Sequence, residues 1–411
     1  MLWRLRGRIV AAAVVAAAAA VGSAAAASPA EQARRVEGIH YAVERNVIMP
    51  SNWRDGMRAS SDCRRPACEI AFDQRLQAVH LRLKWSQLNP APGEFDFSAL
   101  GGMLDAIAAQ GKTATLAVMA GKYAPRWVAD RAGTIDVAQR RHSAEDGSIP
   151  FVPRPWTPAF IDAHGAMIAA MARYLKRDRV RYETLALVKN AGVVTHSAEI
   201  RLMPEKAYAG RHLGEGPTAR IRRRLCRAWR RAGYSEDRVL RAMREMSAQI
   251  ADAFPDKLIG MAFVVGSKRF PTIRGQRCRM RERNATLNLM IQDMVETYGD
   301  AAVINSTTLH ERGGDPPILD WVRRRGGRVA FQLNRQLVGC STGSGPSCRP
   351  DAVNAAMAAG LAADALFIEV HDGNIHRHRA LLAEWNRLLR SRAAARGTAA
   401  RDAEAQTGYD R

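Results

Sequence analysis

Residues 78–119 read AVHLRLKWSQLNPAPGEFDFSALGGMLDAIAAQGKTATLAVM, and this stretch decides the fold. It begins and ends with short, β-rich apolar runs, at Ala78–Leu83 and Thr113–Met119. Between them, Leu100–Gln110 carries apolar residues at three- and four-residue spacing, which predicts an amphipathic helix. Because strands that alternate with helices pair in parallel, the stretch predicts one unit of an α/β fold.

The same alternation of strands and helices runs along most of the chain. Further strands are predicted at Ile39–Val43, Glu183–Val188, Leu258–Val265, Ala302–Asn305, Arg328–Leu333 and Ala365–Val370, and further helices at Ile161–Leu175, Asp237–Ala253, Leu287–Tyr298 and Ala352–Ala362. Eight such units predict a single (β/α)8 TIM barrel with loop insertions over residues 28–390. The alternative is an open doubly wound sheet, but no G-x-G-x-x-G motif follows the first strand.

The two ends of the chain have a different composition from the barrel. Three arginines precede an apolar run, Ile9–Val21, and alanines at 25–27 precede Ser28, which predicts a secretory signal peptide over residues 1–27. An uncleaved membrane anchor is the alternative. Residues 391–411 are rich in Arg, Ala, Gly and Thr without periodicity, which predicts a disordered basic tail. The protein is therefore expected to be secreted or periplasmic.

Export makes the six cysteines candidates for disulfide bonds, because an even number in an exported chain favours pairing. Proximity predicts the pairs Cys63–Cys68 and Cys340–Cys348, and the remaining pair is Cys226–Cys278. A zinc site would need two-residue spacings or nearby histidines, which the sequence lacks around these cysteines.

The chain is strongly basic, with 62 Lys+Arg against 40 Asp+Glu and a net charge of +22. Removing the three arginines of the signal peptide from that +22 leaves about +19. Two insertions are predicted, the polar, Pro-rich Asp130–Pro158 after strand three and Met203–Gly233. The second holds the densest cluster of arginines: Arg220, Arg222, Arg223, Arg224, Arg227, Arg230 and Arg231. The cluster predicts either a solvated amphipathic helix or a surface for a polyanion, such as an acidic exopolysaccharide or the cell envelope. A composition rich in Ala and Arg is a third explanation, and export argues against a nucleic acid partner.

Two sequence segments that follow predicted strands resemble motifs of a known family. Residues 82–97 read RLKWSQLNPAPGEFDF, which resembles the signature of barrel glycoside hydrolases of the large retaining clan. Residues 120–127 read AGKYAPRW, which is similar to the phrase that follows in β-galactosidase-like members, and PWTPAF at residues 155–160 is similar to the same families. The resemblance implies a (β/α)8 barrel, a carbohydrate substrate, and catalytic glutamates after strands four and seven.

The sequence departs from the family at both glutamate positions. Strand four runs into Lys189, Asn190 and then Ala191, where the first glutamate is expected. Strand seven ends in Gln332, Leu333 and Asn334, with no acid. The two customary glutamates are therefore predicted to be displaced or absent.

Other acids near the predicted barrel mouth are candidates to replace them. Glycoside cleavage uses one carboxyl group that donates a proton and one ionised carboxylate. Glu199, in the loop after strand four, is predicted as the general acid, and Glu369, in strand eight across the barrel, as the nucleophile or base. The alternative for Glu369 is a buried acid paired with Arg82 or a lysine. For Glu199, and for the weaker candidate Glu311, the alternative is an acid on the protein surface with no catalytic role.

Side chains at the strand ends and in the two phrases are predicted to bind substrate. They are Arg82, Trp85, Tyr123, Trp127, Asn190, Asn305, Gln332, Asn334 and His371. The aromatic rings offer flat faces to a sugar, although tryptophan also commonly packs in a core. His371, Asp372, His376 and His378 form a ligand-capable group, but their spacing fits no metal motif, and no metal or other cofactor is predicted.

The sequence predicts a glycoside hydrolase-like protein that acts on a bacterial poly- or oligosaccharide by paired-carboxylate chemistry. The alternative function is a non-catalytic barrel that binds an envelope polymer or an acidic exopolysaccharide. The partner is expected to be a carbohydrate, with a polyanionic one suggested by the net charge. The sequence leaves the oligomeric state open.

Overall fold

The structure, a computed structural model, describes residues 27–42, 76–137, 149, 151–195, 198–202, 219–264, 269–275, 277–282, 284–310, 317–333, 350–371, 378 and 380–392. Several predictions lie outside these residues. They are the signal peptide up to residue 26, the pairs Cys63–Cys68 and Cys340–Cys348, the residues Glu311, Asn334, Asp372 and His376, and the tail beyond residue 392.

Eight parallel strands form a closed barrel, which confirms the predicted TIM fold. They are β1 (Gly38–Ala42), β2 (Ala78–Lys84), β3 (Thr113–Met119), β4 (Leu185–Lys189), β5 (Leu258–Phe263), β6 (Ala302–Leu309), β7 (Arg328–Leu333) and β8 (Phe367–Val370). Each strand pairs with the next, and β8 pairs with β1, where Glu369 lies opposite His40. The pairing of β5 with β6 closes the ring between its two halves.

Helices surround the barrel and connect its strands. The bounds are Pro29–Val36, Trp85–Leu88, Ser98–Ala109, Arg126–Ala132, Pro158–Lys176, Arg179–Thr184, Ala219–Arg231, Glu236–Ala253, Asn284–Tyr298, Pro317–Arg324, Pro350–Ala362 and 380–392, with short 3-10 turns at Gly121–Tyr123 and Gly299–Ala301. Some of these helices begin with a side-chain cap. The side chain of Ser235, for example, accepts a hydrogen bond from the backbone of Arg238 at the start of Glu236–Ala253.

The amino end of the barrel is closed by the first helix. Ala33 and Val36 of that helix share an apolar cluster with Leu187, Val303 and Phe367 from three barrel strands. This layer excludes water from the bottom of the barrel, so polar side chains inside the barrel lie above it.

The insertion after β4 packs on a second one, after β5, that was not predicted. Helix Ala219–Arg231 follows β4, and an antiparallel hairpin, Arg269–Arg274 with Arg277–Glu282, follows β5. The disulfide bond Cys226–Cys278 joins the helix to the hairpin, as predicted. The hairpin itself was not predicted, although Arg277, Cys278, Arg279 and Met280 alternate between charged and apolar residues, the usual sign of a strand.

Some predicted strand bounds are wrong. Strand eight begins at Phe367 rather than at Ala365, and the start of strand four also differs. Glu183 was expected to begin strand four, but it lies in the helix Arg179–Thr184. The side chain of Asp178 accepts a hydrogen bond from the backbone of Arg181 and so caps that helix, and the strand begins only at Leu185. Across the described part of the chain, no helix is long and apolar enough to span a membrane.

Candidate active site

Charged side chains from opposite sides of the barrel meet in its interior. Because the strands are parallel, their carboxyl ends surround a single mouth, where the sites of this fold lie. Lys189 is the last residue of β4 and Glu369 lies in β8, on the opposite side of the ring. The Lys189 ammonium donates a hydrogen bond to Oε1 of Glu369, so an ion pair crosses the barrel.

Glu369 is completely enclosed by polar groups. Its side chain is 1% exposed, and Nε2 of Gln332 donates to its second oxygen over 2.8 Å. Nδ1 of His80 lies 4.0 Å from Oε1. Burial opposes the charge of the carboxylate, but His80, Lys189 and Arg82 outweigh burial and hold the pKa of Glu369 well below its usual range. Glu369 is therefore an ionised carboxylate at neutral pH.

The positive charge that stabilises this carboxylate comes from Lys189 and Arg82. Burial lowers the pKa of His80 well below its usual value, so the ring is neutral at neutral pH. Nδ1 of His80 also lies 2.8 Å from Oγ1 of Thr115 on the next strand. Burial lowers the pKa of Lys189 too, and the carboxylates of Glu369 and Glu199 oppose that shift.

His40 lies beside the ion pair, on β1, opposite Glu369 in the register of β1 and β8. Its ring stacks on Phe367 with centroids 4.0 Å apart, and its Nε2 donates to the carbonyl of Val36 over 2.5 Å. Burial lowers the pKa of His40 to about 4, so it too is neutral. The backbone of the first helix thus fixes the His40 ring beside the β8 strand.

Glu199, the second predicted acid, lies in the same site. It was expected in a loop, but it begins a two-residue strand, Glu199–Ile200, that pairs with Ala262 and Phe263 of β5. The sheet thus fixes a segment that local sequence marks as a turn. Nη2 of Arg82 lies 3.9 Å from Oε1 of Glu199, which is a charge contact longer than a hydrogen bond. Arg82 and Lys189 each act electrostatically on both Glu199 and Glu369, so the two carboxylates share the same cations.

Two of the predicted substrate-binding residues are directed away from the mouth. Trp85 is 0% exposed, and its ring meets Phe160 and His164 edge-on in the core. The Asn190 amide donates to the carbonyl of Met243 and the hydroxyl of Ser247, both on helix Glu236–Ala253. Trp85 therefore offers no flat face to a ligand, and Asn190 fastens the end of β4 to a helix.

The other two predicted aromatic residues have neighbouring cations. The Tyr123 ring is buried, with the ammonium groups of Lys122 and Lys84 at 4.8 Å and 5.3 Å from its centroid. Trp127 is half-buried, and the guanidinium of Arg131 lies 5.2 Å from its ring. Each ring therefore already has a cation on a face.

Two further predicted residues lie at the strand ends. Asn305 of β6 is fully buried, and neither atom of its amide has a hydrogen-bond partner among the described residues. A buried amide of this kind needs water or a ligand as its partner. His371 is buried directly after β8.

Sequence reasoning missed His80, Thr115 and the role of Lys189 in the network around Glu369. Polar residues inside apolar strands were the available signal, since AVHLRLK places His80 and Arg82 on one face of β2. A separate cavity of about 300 Å³ lies outside the barrel, between helices Pro158–Lys176 and Glu236–Ala253, and is lined by Trp156 and Arg241. None of the residues around Glu369 lines that cavity.

The structure is a closed (β/α)8 barrel with two carboxylates near the carboxyl ends of its strands, and part of its sequence is similar to a glycosidase family. The family model of β-galactosidase matches residues 65–180, which confirms the resemblance over that part of the chain. No curated protein matches the sequence.

A solved structure that resembles this chain supports the fold. The catalytic domain of β-amylase from Paenibacillus polymyxa has a TM-score of 0.53 at 11% identity, over 83% of this chain and 94% of that one. A β-galactosidase from the psychrophilic Marinomonas ef1 has a TM-score of 0.45 at 14% identity, over 81% of this chain and 53% of that one.

Proposed function

We propose that this protein hydrolyses a glycosidic bond in a bacterial poly- or oligosaccharide at the barrel mouth. The observation that carries the proposal is the convergence of Glu199 and Glu369 on the same two cations, Arg82 and Lys189. The sequence predicts neither residue at the family's customary position, yet both lie near Arg82 and Lys189. The match of residues 65–180 to a β-galactosidase family supports a carbohydrate substrate.

We assign the base or nucleophile role to Glu369 and the general-acid role to Glu199. Glu369 is ionised and fixed by Lys189 and Gln332, as a group that attacks carbon or takes a proton from water must be. In its protonated form, Glu199 gives its proton to the bridging oxygen as the bond from that oxygen to the anomeric carbon breaks. One water supplies hydroxide to the anomeric carbon and a proton to the carboxylates, so one water is consumed per bond.

Activity measured on purified protein tests this assignment. We expect Glu199→Gln to lower kcat by about 10²–10⁴-fold on an alkyl glycoside, the usual contribution of a general acid. On a dinitrophenyl glycoside the loss should be far smaller, because that leaving group needs no proton. Glu369→Gln should lose activity on both substrates. Glu296→Gln is the control, an exposed glutamate on helix Asn284–Tyr298.

The burial of Glu369 favours a second candidate function, a barrel that binds saccharide without cleaving it. A carboxylate that is 1% exposed and hydrogen-bonded to a lysine is a poor nucleophile unless ligand binding opens that contact. A wild-type protein that binds an oligosaccharide but hydrolyses no member of a panel of aryl glycosides and exopolysaccharides would establish this function and refute the first.

A further inference from the structure

The insertions after β4 and β5 form one cationic surface beside the candidate site. We call it the arginine platform: helix Ala219–Arg231 with the hairpin Arg269–Arg274 and Arg277–Glu282. Its described guanidinium side chains are those of Arg222, Arg223, Arg224, Arg227, Arg230, Arg231, Arg274, Arg277 and Arg279. The sequence indicated only the helix, because the hairpin is 38 residues or more further along the chain and meets it only in the folded protein.

The platform is rigid because its apolar side is a small core with a covalent link. Leu225, Cys226 and Trp229 of the helix are completely buried, and Cys278 and Met280 of the hairpin are nearly so. The disulfide bond Cys226–Cys278 joins the two elements. Since Arg277 and Arg279 alternate with these buried residues along their strand, their side chains lie on its other face, and both are exposed.

Most of the platform's arginines have no acidic partner among the described residues. Arg224 lies 3.3 Å from Asp136. No ion pair or hydrogen bond to a described residue involves the side chains of the other exposed arginines, which are Arg223, Arg227, Arg231, Arg274, Arg277 and Arg279. Like charges held this close repel one another, so a polyanion that neutralises several of them at once gains binding energy.

The platform is attached to the segment that carries Glu199. Nε1 of Trp229 donates to the carbonyl of Leu202, three residues beyond Glu199, over 3.1 Å. The strand Glu199–Ile200 pairs with β5, and the hairpin begins six residues after β5 ends. Both insertions therefore leave the barrel at its mouth, so a polymer on the platform lies beside the candidate site.

We infer that the arginine platform binds an acidic polysaccharide whose carboxylates it pairs, and that it presents this polymer to the barrel mouth. Planar guanidinium groups bind carboxylates through two parallel hydrogen bonds, which suits a uronate repeat. The barrel's carbohydrate site selects a polysaccharide over other polyanions. The inference names the substrate class of the proposed function and so rests on it.

Binding of a polyuronate, alginate, to the full chain tests the inference. The measurement uses Glu199→Gln protein, so no cleavage occurs, at about 50 mM salt. Replacing Arg223, Arg227 and Arg231 by Gln should weaken alginate binding at least tenfold and flatten its dependence on salt, because fewer charges pair with the polymer. Replacing Arg274, Arg277 and Arg279 by Gln should do the same.

The control is a triple variant with the same loss of charge elsewhere. Arg173, Arg177 and Arg324 are exposed on helices outside the platform, or directly after one, and changing them to Gln should alter binding by less than twofold. Cys226→Ala with Cys278→Ala should also weaken binding although the net charge is unchanged, because the helix and the hairpin are no longer held together.

The remaining results would contradict either the inference or the proposed function, and they distinguish the two. Equal losses in the platform and control variants would show that net charge alone governs retention. Tighter binding to duplex DNA or to anionic lipid vesicles than to alginate would assign the platform to another macromolecule. Hydrolysis of neutral glycosides without alginate binding would refute the platform's role alone, and alginate binding without any hydrolysis would refute only the proposed function.

Discussion

The ion pair between Lys189 and Glu369 gives the sharpest test of the site's structure. Both side chains are about 1% exposed, and each is the other's nearest charged partner across the barrel. Glu369→Gln removes the negative charge but keeps the shape, which leaves the Lys189 ammonium buried without a counter-charge. Breaking a buried pair in this way costs about 3–5 kcal/mol of unfolding free energy. Lys189→Met should have a cost of the same order, reduced where His80 takes up a proton.

The double variant distinguishes a direct contact from two separate effects. In the double variant no uncompensated charge remains, because both charges are absent. Its loss of unfolding free energy should therefore be about 2 kcal/mol smaller than the sum of the losses in the two single variants. Urea unfolding at pH 7, followed by tryptophan fluorescence, gives the four free energies. The exposed pair Arg126–Asp130 is the matched control, and its coupling should stay below about 0.5 kcal/mol. Costs at Lys189 and Glu369 that add within about 0.5 kcal/mol would refute the contact.

Three further predictions concern stability. Burial lowers the pKa of His164 to about 4, so below pH 6.5 the unfolded chain binds a proton at this residue and the folded chain does not. The free energy of unfolding should therefore fall by about 3 kcal/mol as the pH falls from 6.5 to 4. Urea titrations of His164→Gln should show a smaller decline. Replacing Cys226 and Cys278 together by Ala should lower the free energy of unfolding by up to about 4 kcal/mol, because the disulfide closes a loop of 52 residues in the unfolded chain. Calorimetry that shows no loss of stability would contradict this prediction. Gly121→Ala should destabilise the protein more than Gly93→Ala. Both glycines have a positive φ, but only at Gly121 would an added Cβ clash with the backbone, at 2.5 Å from the carbonyl oxygen of Val194. Equal melting temperatures of the two variants would exclude this clash.

The sequence predicted the barrel because each strand and helix is encoded locally. Two strands were predicted with their bounds correct, Thr113–Met119 and Arg328–Leu333. A short apolar run next to a periodic helix is typical of a buried strand. The prediction that Glu183 begins strand four was wrong, because the side chain of Asp178 caps a short helix that includes Glu183. The hairpin at Arg269–Glu282 was missed although its alternation was visible.

Site residues were predictable only in part, because a strand end locates a side chain at the mouth without giving its partner. Glu369 was predicted as a mouth acid, with pairing to a lysine as its alternative, and the structure shows that pairing with Lys189. Trp85 and Asn190 lie in predicted mouth segments, but packing against helices turns their side chains into the core. The roles predicted for Glu199 and Glu369 remain predictions until the variants are measured.

Local sequence patterns were enough to predict the eight strands, the helices between them and the arginines of one helix, because these depend on residues a few positions apart. The contacts between charged side chains depend instead on how the whole chain folds. Lys189 and Glu369 are 180 residues apart, and they touch because closure of the sheet places β4 opposite β8. The arginine platform follows the same rule, since the helix and the hairpin become neighbours only when β4 and β5 pair and their insertions leave the barrel at the same end.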